Sequence, residues 1–531
     1  MNKIETKPVV WTIAGSDCSG GAGVQADIKT MHNLGVDVGS VITAVTAQNR
    51  FGVEAINPLS EKVILSQIMA LEQVQPATVI KIGLLANNQQ VELVVEQIKR
   101  FNKEWPSKPY IIYDPLAIAS NGSDLTEDDT LPTIKAKLLP LVHLLTPNGK
   151  EMQKITGVFA FSWQCMVAAA QKILSLGVSA TIIKGGHLEI AKNKCIDYGT
   201  DGQQSYWLSS NKISSHNTHG TGCTFASAIA ALIAQNYALK DAFIIAKAYL
   251  NQGLKAVGEK KSHFDAIWQG QWPSYINDYP EVLVNGSSLA QAIDWHEEKT
   301  SEKPRLSATS FDFGFAALDS KQLGLYPVVD SLEWLERLLK LGIKLIQYRN
   351  KALVGEALEQ SIMQAIALGK RYKAMLFIND YWHLAIKYNA YGVHLGQEDI
   401  QAADLKAIKQ AGLRLGISSH GHYELIKVKQ YQPSYLAIGA IFPTKTKDMT
   451  GQIQGVQTLS DLVKLTPDIP TVAIGGITLA RAKTVLNTSV NSIAVVTAIT
   501  EALEPELAVK KFQQMIKDRN NDCGNNRAGN D

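Results

Sequence analysis

Apolar and polar positions alternate along most of this chain in a pattern that predicts strands followed by helices. Short apolar runs rich in Val, Ile and Leu recur, and each is followed by a stretch with helical spacing. This alternation is typical of α/β architecture with parallel sheets. The pattern breaks once, over about residues 266–320, where periodicity is lost. The sequence therefore predicts two α/β domains, at 8–265 and 321–517, joined by an interdomain linker.

The second half contains a countable series of strands. Eight strand-like runs occur, at residues 325–330, 344–349, 375–380, 392–397, 413–419, 435–442, 471–477 and 492–499. Eight βα units in about 200 residues predict a compact (β/α)8 TIM barrel, in which chemistry lies at the carboxyl ends of the strands.

The first half gives strand candidates without such a count. Two Gly-rich turns, at 15–23 and 219–223, each precede a helical pattern. We expect an open, doubly wound α/β sheet with ligands bound at the strand ends.

Composition narrows the class of protein. The 531 residues are 46% hydrophobic and 19% charged, with a net charge of +3, which gives no reason to expect nucleic acid or a membrane as partner. The beginning of the chain does not resemble a signal peptide, and no apolar run reaches membrane-spanning length. Five scattered cysteines without a C-x-x-C pair favour a reducing, cytoplasmic setting. Residues 518–531 are polar and predict a disordered tail.

The stretch "HGTGCTFASAIAA" is typical of an anion-binding helix start. Gly220, Thr221 and Gly222 would present backbone N–H groups to an oxyanion, and we expect the helix dipole to lower the pKa of Cys223. A small buried residue in a tight turn is the alternative interpretation, and the motif alone does not separate the two.

Four polar residues at or just beyond the ends of other strands favour a nucleotide. Mg²⁺-ATP requires carboxylate or amide ligands and a cation, which these positions supply: Asp114, Asn148, Glu151 and Lys184. The P-loop pattern is missing from the sequence, so a P-loop kinase is excluded.

Taken together, "TIAGSDCSGGAGVQADIKT", "VITAVTAQNRFGV", "TPNGKE", "IIKGGH" and "NTHGTGCTFASAIAA" resemble hydroxymethylpyrimidine/phosphomethylpyrimidine kinase of the ribokinase-like superfamily. The resemblance implies two ATP-dependent phosphorylations of a pyrimidine alcohol, with Cys223 in the position of a base. It also implies substrate-pocket roles for Gly15, Asp27 and Gln48, and self-association as a homodimer through this domain. A vitamin B6 kinase of the same superfamily is the alternative.

The predicted barrel also contains residues that would bind anions. Gln347, Arg349 and Lys351 alternate along one strand end, so they face one side. Asp380 and Asp399 suit a Mg²⁺ ion that bridges to a diphosphate, and the cations would neutralise the departing diphosphate. The remaining polar candidates follow other strands: Asn379, Ser418, Thr444, Thr446 and Lys447. The turns at Gly475, Gly476 and Thr497, after strands seven and eight, are where such barrels bind a second phosphate.

The motifs Q-x-R-x-K, N-D, H-x-G-Q-x-D, G-x-S-x-H and P-T-x-T-K, in this order, resemble thiamine-phosphate synthase. The resemblance implies that a pyrimidine diphosphate loses pyrophosphate to give a carbocation, which thiazole phosphate then traps. It also implies that Ser418 lies near the diphosphate and that Thr497 replaces a serine. A thiazole tautomerase-like barrel and a regulatory barrel remain alternatives. We expect structural roles for His394 and His420, because a cation mechanism needs little base.

Overall fold

The computed structural model describes residues 6–49, 52–115, 130–159, 161–186, 188, 191, 193–213, 219–259, 266–283, 314–319, 323–444 and 453–525. Contacts between Cα atoms divide the chain into two compact units, Met1–Lys303 and Pro304–Asp531. Within the described ranges, no helix is both long and apolar enough to cross a membrane.

A ten-stranded mixed sheet is the centre of the first unit. Its strands are β1 (Val9–Asp17), β2 (Asp37–Asn49), β3 (Gly52–Pro58), β4 (Val79–Ile82), β5 (Tyr110–Tyr113), β6 (Leu144–Leu145), β7 (Ala180–Ile183), β8 (Lys194–Thr200), β9 (Ser205–Asn211) and β10 (Glu281–Val282). They lie in the order β10-β9-β8-β7-β6-β5-β4-β1-β2-β3. The strands from β7 to β2 pair in parallel, whereas both edges of the sheet are antiparallel.

The helices of this unit cover the sheet. They are α1 (Gly23–Asn33), α2 (Glu61–Glu72), α3 (Asn88–Glu104), α4 (Thr130–Thr133), α5 (Gly149–Thr156), α6 (Trp163–Ser175), α7 (Thr221–Ala234) and α8 (Leu239–Glu259). Helix α7 is apolar on nearly all sides and is buried along most of its length, as its Ala-rich sequence requires. Helix α3 is amphipathic and turns Val91, Val94, Ile98 and Phe101 into the core.

Part of the predicted linker packs on the first sheet. Strand β10 pairs with β9, and the Tyr249 hydroxyl on α8 donates to the carbonyl of Gly270 over 3.0 Å. Asn251, also on α8, donates to the carbonyl of Asp278 over 2.9 Å. Residues 266–283 therefore contribute to the first unit.

The second unit is a closed barrel of eight parallel strands. They are β11 (Tyr326–Val329), β12 (Leu345–Tyr348), β13 (Met375–Asn379), β14 (Gly392–Leu395), β15 (Arg414–Ser419), β16 (Tyr435–Ile438), β17 (Thr471–Ala473) and β18 (Ser492–Val495). Each overlaps one of the eight predicted runs. The predicted fold classes are thus confirmed in both halves, since an α/β sheet and a (β/α)8 barrel are observed.

Helices follow the barrel strands. They are α9 (Leu332–Lys340), α10 (Gly355–Arg371), α11 (Trp382–Lys387), α12 (Asp399–Ala402), α13 (Leu405–Gln410), α14 (His422–Lys429), α15 (Gly455–Lys464), α16 (Leu479–Leu486), α17 (Thr497–Thr500) and α18 (Pro505–Asn525). Aromatic rings fill part of the barrel interior, where Tyr435 packs edge-on against Phe377 and Tyr326. Helix α18 extends past residue 517, where the sequence predicts the domain to end, and residues 526–531 lie outside the described ranges.

Candidate active sites

A cavity of about 500 Å³ lies at the carboxyl ends of the parallel strands of the first unit. It brings together most of the predicted kinase residues, which come from distant parts of the sequence: Gly15, Gln48, Asn148, Glu151, Lys184, Gly220, Thr221, Gly222 and Cys223. The structure therefore collects the pyrimidine-pocket candidates and the nucleotide candidates around one space.

The two Gly-rich turns contact each other at the N-terminal end of α7. Gly220 has φ of +82°, and a Cβ atom there would lie 1.8 Å from the carbonyl oxygen of Gly21. Gly23 has φ of +56°, and its Cβ would lie 2.2 Å from the carbonyl oxygen of Gly15. Only glycine fits these positions, so the two turns pack backbone against backbone and leave the first N–H groups of α7 facing the cavity.

A buried carboxylate joins these two turns. Asp17 accepts hydrogen bonds from the backbone N–H groups of Ser19 and Ala22, at 2.8 and 2.7 Å, and pairs with Nε2 of His219 at 2.9 Å. Burial alone would raise the pKa of Asp17, but the bonds from His219 and Ser19 outweigh it and hold the pKa well below its usual range. The ionised carboxylate thus fixes His219 beside the anion-binding turn, a role that the sequence analysis missed.

Lys184, Asp114 and Glu151 form a charged group at the inner end of α7. The Lys184 ammonium lies 2.9 Å from Oδ1 of Asp114 and 4.0 Å from Oε2 of Glu151. The Oδ2 atom of Asp114 is buried and has no hydrogen-bond partner among the described residues. An orphaned carboxylate oxygen beside a lysine and a helix N-terminus is a fitting place for the phosphates and Mg²⁺ of a nucleotide.

Glu151 also closes the first turn of α5. It accepts from the N–H of Asn148 over 2.7 Å, while the Asn148 side chain accepts from the N–H groups of Lys150 and Glu151. This capping box presents both predicted residues at the cavity wall. Burial raises the pKa of Glu151 to about 7; Lys184 opposes the rise and Asp114 adds to it.

The prediction of a lowered pKa for Cys223 is wrong. Burial raises the pKa of the thiol to about 12; Lys81 opposes this rise, and the carboxylates of Asp27 and Asp114 add to it. Desolvation therefore exceeds the helix dipole. Cys223 is a protonated thiol in this state, so it does not offer a ready-made thiolate base.

Asp27 lies beneath the cavity and is absent from its walls, contrary to the predicted substrate contact. Its carboxylate accepts from Nζ of Lys81 at 2.9 and 3.0 Å, from Thr12 at 2.5 Å and from Ser227 at 2.6 Å. Both charged side chains are fully buried. These four bonds saturate the carboxylate and make it a strut between β1, β4 and α7.

The wall of the cavity itself contains another buried ion pair, which the sequence did not predict. Nζ of Lys247 lies 2.6 Å from Oδ2 of Asp197, and both residues line the cavity. Lys247 also donates to the sulfur of Cys195. Lys247 lies on a helix and Asp197 on a strand that the sequence analysis did not recognise, and no spacing rule connects them.

In the barrel, the carboxyl edge collects Lys351, Asp380 and Asp399. Lys351 forms an ion pair with Asp380, which has φ of +64° directly after β13. Burial raises the pKa of Asp399, and the neighbouring Asp380 raises it further. Two carboxylates that repel each other at a solvent-facing edge fit a divalent cation, which would take its remaining ligands from diphosphate and water. No group of three metal-ligating side chains occurs among the described residues.

A hydrogen-bonded chain crosses the barrel interior. Ser418 bonds Nε2 of His394 at 2.8 Å, and Nδ1 of His394 bonds the Tyr435 hydroxyl at 2.7 Å. Tyr435 bonds Tyr326 at 2.6 Å, and Nε2 of Gln347 donates to Tyr326 over 3.3 Å. Burial lowers the pKa of His394 to about 4, so the imidazole is neutral. The chain links two predicted substrate contacts, Ser418 and Gln347, through His394, Tyr435 and Tyr326, which no sequence pattern connects.

The remaining barrel candidates lie at the same edge. Asn379 ends β13, Arg349 follows β12, and Thr497 begins α17 after β18. Gly475 and Gly476 both have positive φ, and a Cβ on Gly476 would lie 2.4 Å from the carbonyl oxygen of Pro443, close to Thr444. His420 pairs with Glu424 at 2.8 Å. The predicted Thr446 and Lys447 lie outside the described residues.

Comparison with known proteins identifies the barrel. Residues 325–499 match the family model of thiamine monophosphate synthase. The chain is 56% identical over 204 residues to the thiamine-phosphate synthase of Yersinia pestis (strain Pestoides F), covering 38% of this chain and 94% of that protein. The chain belongs to the thiamine-phosphate synthase family. The Proteus mirabilis synthase is 54% identical over 197 residues, covering 37% of this chain and 92% of that protein.

The first half matches a different family model, phosphomethylpyrimidine kinase, over residues 17–265. A phosphomethylpyrimidine kinase structure from Clostridium difficile 630 is 34% identical, with a TM-score of 0.41, and covers 46% of this chain and 99% of that chain. A Staphylococcus aureus pyridoxal kinase structure is 29% identical, with a TM-score of 0.46, and covers 53% and 99%. This synthase is therefore fused to a kinase, and the chain is a bifunctional enzyme of thiamine biosynthesis. That function is favoured over a vitamin B6 kinase fused to a tautomerase-like or regulatory barrel.

Proposed function

We propose that the chain phosphorylates 4-amino-5-hydroxymethyl-2-methylpyrimidine and then its monophosphate with ATP, and condenses the resulting diphosphate with thiazole phosphate. The products are thiamine phosphate and pyrophosphate. The observation that supports this proposal is that each half holds charged groups of both signs at the carboxyl ends of its parallel strands, where α/β folds bind ligands.

In the kinase half, the chain's own groups position and neutralise phosphate. The N–H groups of Gly222 and Cys223 at the start of α7 would hold the transferred phosphoryl group, and Lys184 would balance its charge. Gln48 and Gly15 also line this cavity, and the pyrimidine would lie against them. Mg²⁺ held near Asp114 and Glu151 would supply further charge neutralisation.

The protonated state of Cys223 changes its role in this proposal. A thiol with a raised pKa cannot take the proton of the substrate alcohol before transfer. Because phosphoryl transfer is loose, the alcohol keeps its proton until late, and a phosphate oxygen of the product can accept it. We assign Cys223 to shaping the pocket and to presenting its backbone N–H, with its sulfur held by the N–H of Gly23.

In the synthase half, the groups at the edge of the barrel receive the leaving pyrophosphate. Arg349 and Lys351 would hold its oxygens, and Asp380 with Asp399 would hold Mg²⁺, which supplies charge neutralisation when bound. Ser418 would donate a hydrogen bond to the diphosphate. The backbone N–H groups at Gly475 and Gly476 and the hydroxyl of Thr497 would hold the phosphate of the thiazole. Lys447, Thr444 and Thr446 would complete the anion site.

We also propose that 8–265 carries the kinase activity and 321–517 the synthase activity, with 266–320 between them. Residues 266–283 of that segment pack on the kinase unit, so the connection to the synthase lies after residue 283. Residues 518–531 follow the synthase as a tail whose beginning continues helix α18. The enzyme would work in the cytoplasm on small molecules, without nucleic acid or membrane partners, and would form homodimers through the kinase domain. Size-exclusion chromatography with light scattering tests the dimer.

A coupled assay tests the proposed function. The full chain, the pyrimidine alcohol, ATP, Mg²⁺ and thiazole phosphate should give thiamine phosphate, detected by mass. Omission of thiazole phosphate should leave the pyrimidine diphosphate. If pyridoxal is phosphorylated and the pyrimidine alcohol is not, the kinase assignment fails; if diphosphate accumulates with thiazole phosphate present, the synthase assignment fails.

Asp380→Asn tests the metal assignment. Asn tolerates positive φ, so this variant removes the charge while the backbone keeps its conformation. We expect synthase turnover to fall by about 10²-fold or more and to recover partly at high Mg²⁺, whereas the kinase rate stays unchanged. Arg349→Ala should slow the synthase without that recovery. Wild-type Mg²⁺ dependence in Asp380→Asn would place the metal elsewhere.

A further inference from the structure

A second cavity, of about 430 Å³, lies on the barrel at the end opposite to the proposed synthase site. Met375 and Arg414, which line it, are the first residues of β13 and β15, and Tyr391 lies directly before β14. Asn379 and Ser418 stand four residues further along these strands. Since a strand rises about 3.3 Å per residue, roughly 13 Å separates the cavity from the proposed catalytic edge.

The residues around this space carry positive charge alone. Lys370, Lys373 and Arg414 line it, and none of its described lining residues is an aspartate or glutamate. Lys370 uses one donor on the carbonyl of Tyr388 at 3.0 Å. Lys373 is exposed at the rim. We call this space the basic cavity. Solvent screens the exposed Lys370 and Lys373, so these charges favour an anion in the cavity without requiring one.

Arg414 supplies the observation that points to a ligand. Its guanidinium lies over the ring of Tyr391, 4.3 Å from the centroid, so the plane of the group is fixed. Its Nε is buried and has no hydrogen-bond partner among the described residues. The described part of the chain also gives the guanidinium no carboxylate partner, so its charge is uncompensated and an oxyanion in the basic cavity would pair with it.

We propose that the basic cavity binds a phosphate-class anion, either inorganic phosphate or a diphosphate, outside the two active sites. Arginine presents a planar fork that matches phosphate oxygens, and lysine adds a mobile point charge. The volume lies in the range of small-molecule sites. Pyrophosphate has this chemistry and is a product of the proposed synthase reaction, so the enzyme itself generates a suitable ligand.

Hydrogen–deuterium exchange of the full chain, followed by mass spectrometry, locates the binding. Inorganic phosphate or pyrophosphate would be added without metal, with chloride at matched ionic strength as a reference. Pyrophosphate should slow exchange in the peptides around 369–376, 388–392 and 411–415. Arg414→Gln should weaken the apparent affinity in these peptides by about tenfold or more, because it removes a charge-assisted hydrogen bond. Lys373→Gln, at the exposed rim, should weaken it less and should not disturb folding.

Lys483→Gln is the matched control, since it removes one exposed positive charge on α16, outside the basic cavity. It should keep wild-type protection in the same peptides. In a parallel series with Mg²⁺ added, protection at the catalytic edge should persist in all three variants. A failure of the proposed diphosphate site there is thus distinguishable from a failure of this proposal. Equal protection by chloride, unchanged affinity in both cavity variants, or no protection in the wild type would overturn it. A preference for phosphate over pyrophosphate would identify the smaller ligand.

Discussion

Cys223 stands on the first turn of α7, yet its pKa rises to about 12 because the surrounding protein excludes water. The helix start could be recognised from "GTGC", but burial depends on α1, β1 and β4, which pack around it from elsewhere in the sequence. The Asp17–His219 pair was equally hidden, since 202 positions separate the two residues. At the residue scale, sequence indicated which groups take part and tertiary packing decided their charge states.

Thiol alkylation tests the state of Cys223. We expect iodoacetamide at pH 8 to modify the exposed Cys18 at least about tenfold faster than Cys223, because only the thiolate reacts and burial also limits access. Peptide mass spectrometry over time measures both rates. Comparable rates for the two cysteines would show that Cys223 is accessible and ionised.

Glu151 gives a pH dependence with a definite sign. Its pKa is about 7 in the folded chain, against an ordinary value of 4.5, so the native state holds more protons than the unfolded state between these values. The contribution of Glu151 to the free energy of unfolding is therefore present below pH 4.5 and is lost as pH rises towards 7.

Glu151→Gln should remove this dependence and keep the acceptor for the Asn148 N–H. The kinase transition of the variant should lose less stability than the wild type between pH 4.5 and 8, measured by chemical denaturation. Glu96→Gln, on the exposed side of α3, is the control and should follow the wild type. A variant that loses as much stability as the wild type would show that Glu151 titrates normally.

At the element scale, the barrel strands were predictable because each is a short apolar run followed by a helix. The antiparallel edges of the first sheet were not predicted. One local signal for them exists, since "TDGQQS" between β8 and β9 contains an Asp-Gly pair that is typical of hairpin turns. Strand β10 is two residues long and pairs with β9 across about 70 positions, so no local pattern could indicate it.

The contact between the two Gly-rich turns makes a prediction for Gly220. Gly220→Ala places a methyl group against the Gly21 carbonyl, so the start of α7 must shift, and a shift of about 1 Å can cost 10²-fold in rate. Gly157→Ala is the matched control: it also has positive φ, but nothing lies within 4 Å of its Cβ. It should cost only about 1–2 kcal/mol of stability. The measurement is the initial kinase rate of both folded variants. Equal activity would show that the contact between Gly220 and the Gly21 carbonyl is not tight.

At the scale of the whole molecule, the two units and the fold of each could be predicted, but the packing of residues 266–283 could not. Ile267 and Val282 are buried in the first unit although their surroundings lack periodicity. Aromatic residues in that stretch, such as Trp268 and Tyr279, favour packing, but the sequence does not show against which elements. The position of residues 266–283 is set by long-range contacts with α8 and β9, which no local sequence pattern predicts.

Truncation tests this assignment. A fragment of residues 1–283 should fold and retain kinase activity, while 1–265 should unfold at a temperature several degrees lower, because it loses β10 and the contacts of Tyr249 and Asn251. Thermal unfolding followed by circular dichroism measures the difference. Identical midpoints would mean that 266–283 contributes nothing to the fold.

A fragment of residues 314–531 should retain the synthase activity.

The hydrogen-bonded chain inside the barrel has a direction. The amide nitrogen of Gln347 can only donate, so Tyr326 accepts from it. Each buried hydroxyl proton has an acceptor if Tyr326 donates to Tyr435 and Tyr435 donates to Nδ1 of His394; the reverse direction would leave the Tyr326 proton without one. The neutral imidazole then carries its proton on Nε2 and donates it to Ser418. Because the Ser418 hydroxyl oxygen already accepts a hydrogen bond from Nε2 of His394, the hydroxyl proton of Ser418 remains available for donation to a ligand. The barrel interior thus fixes the polarity of a surface hydroxyl: Ser418 faces an incoming ligand as a donor, which admits an oxyanion and disfavours a cation.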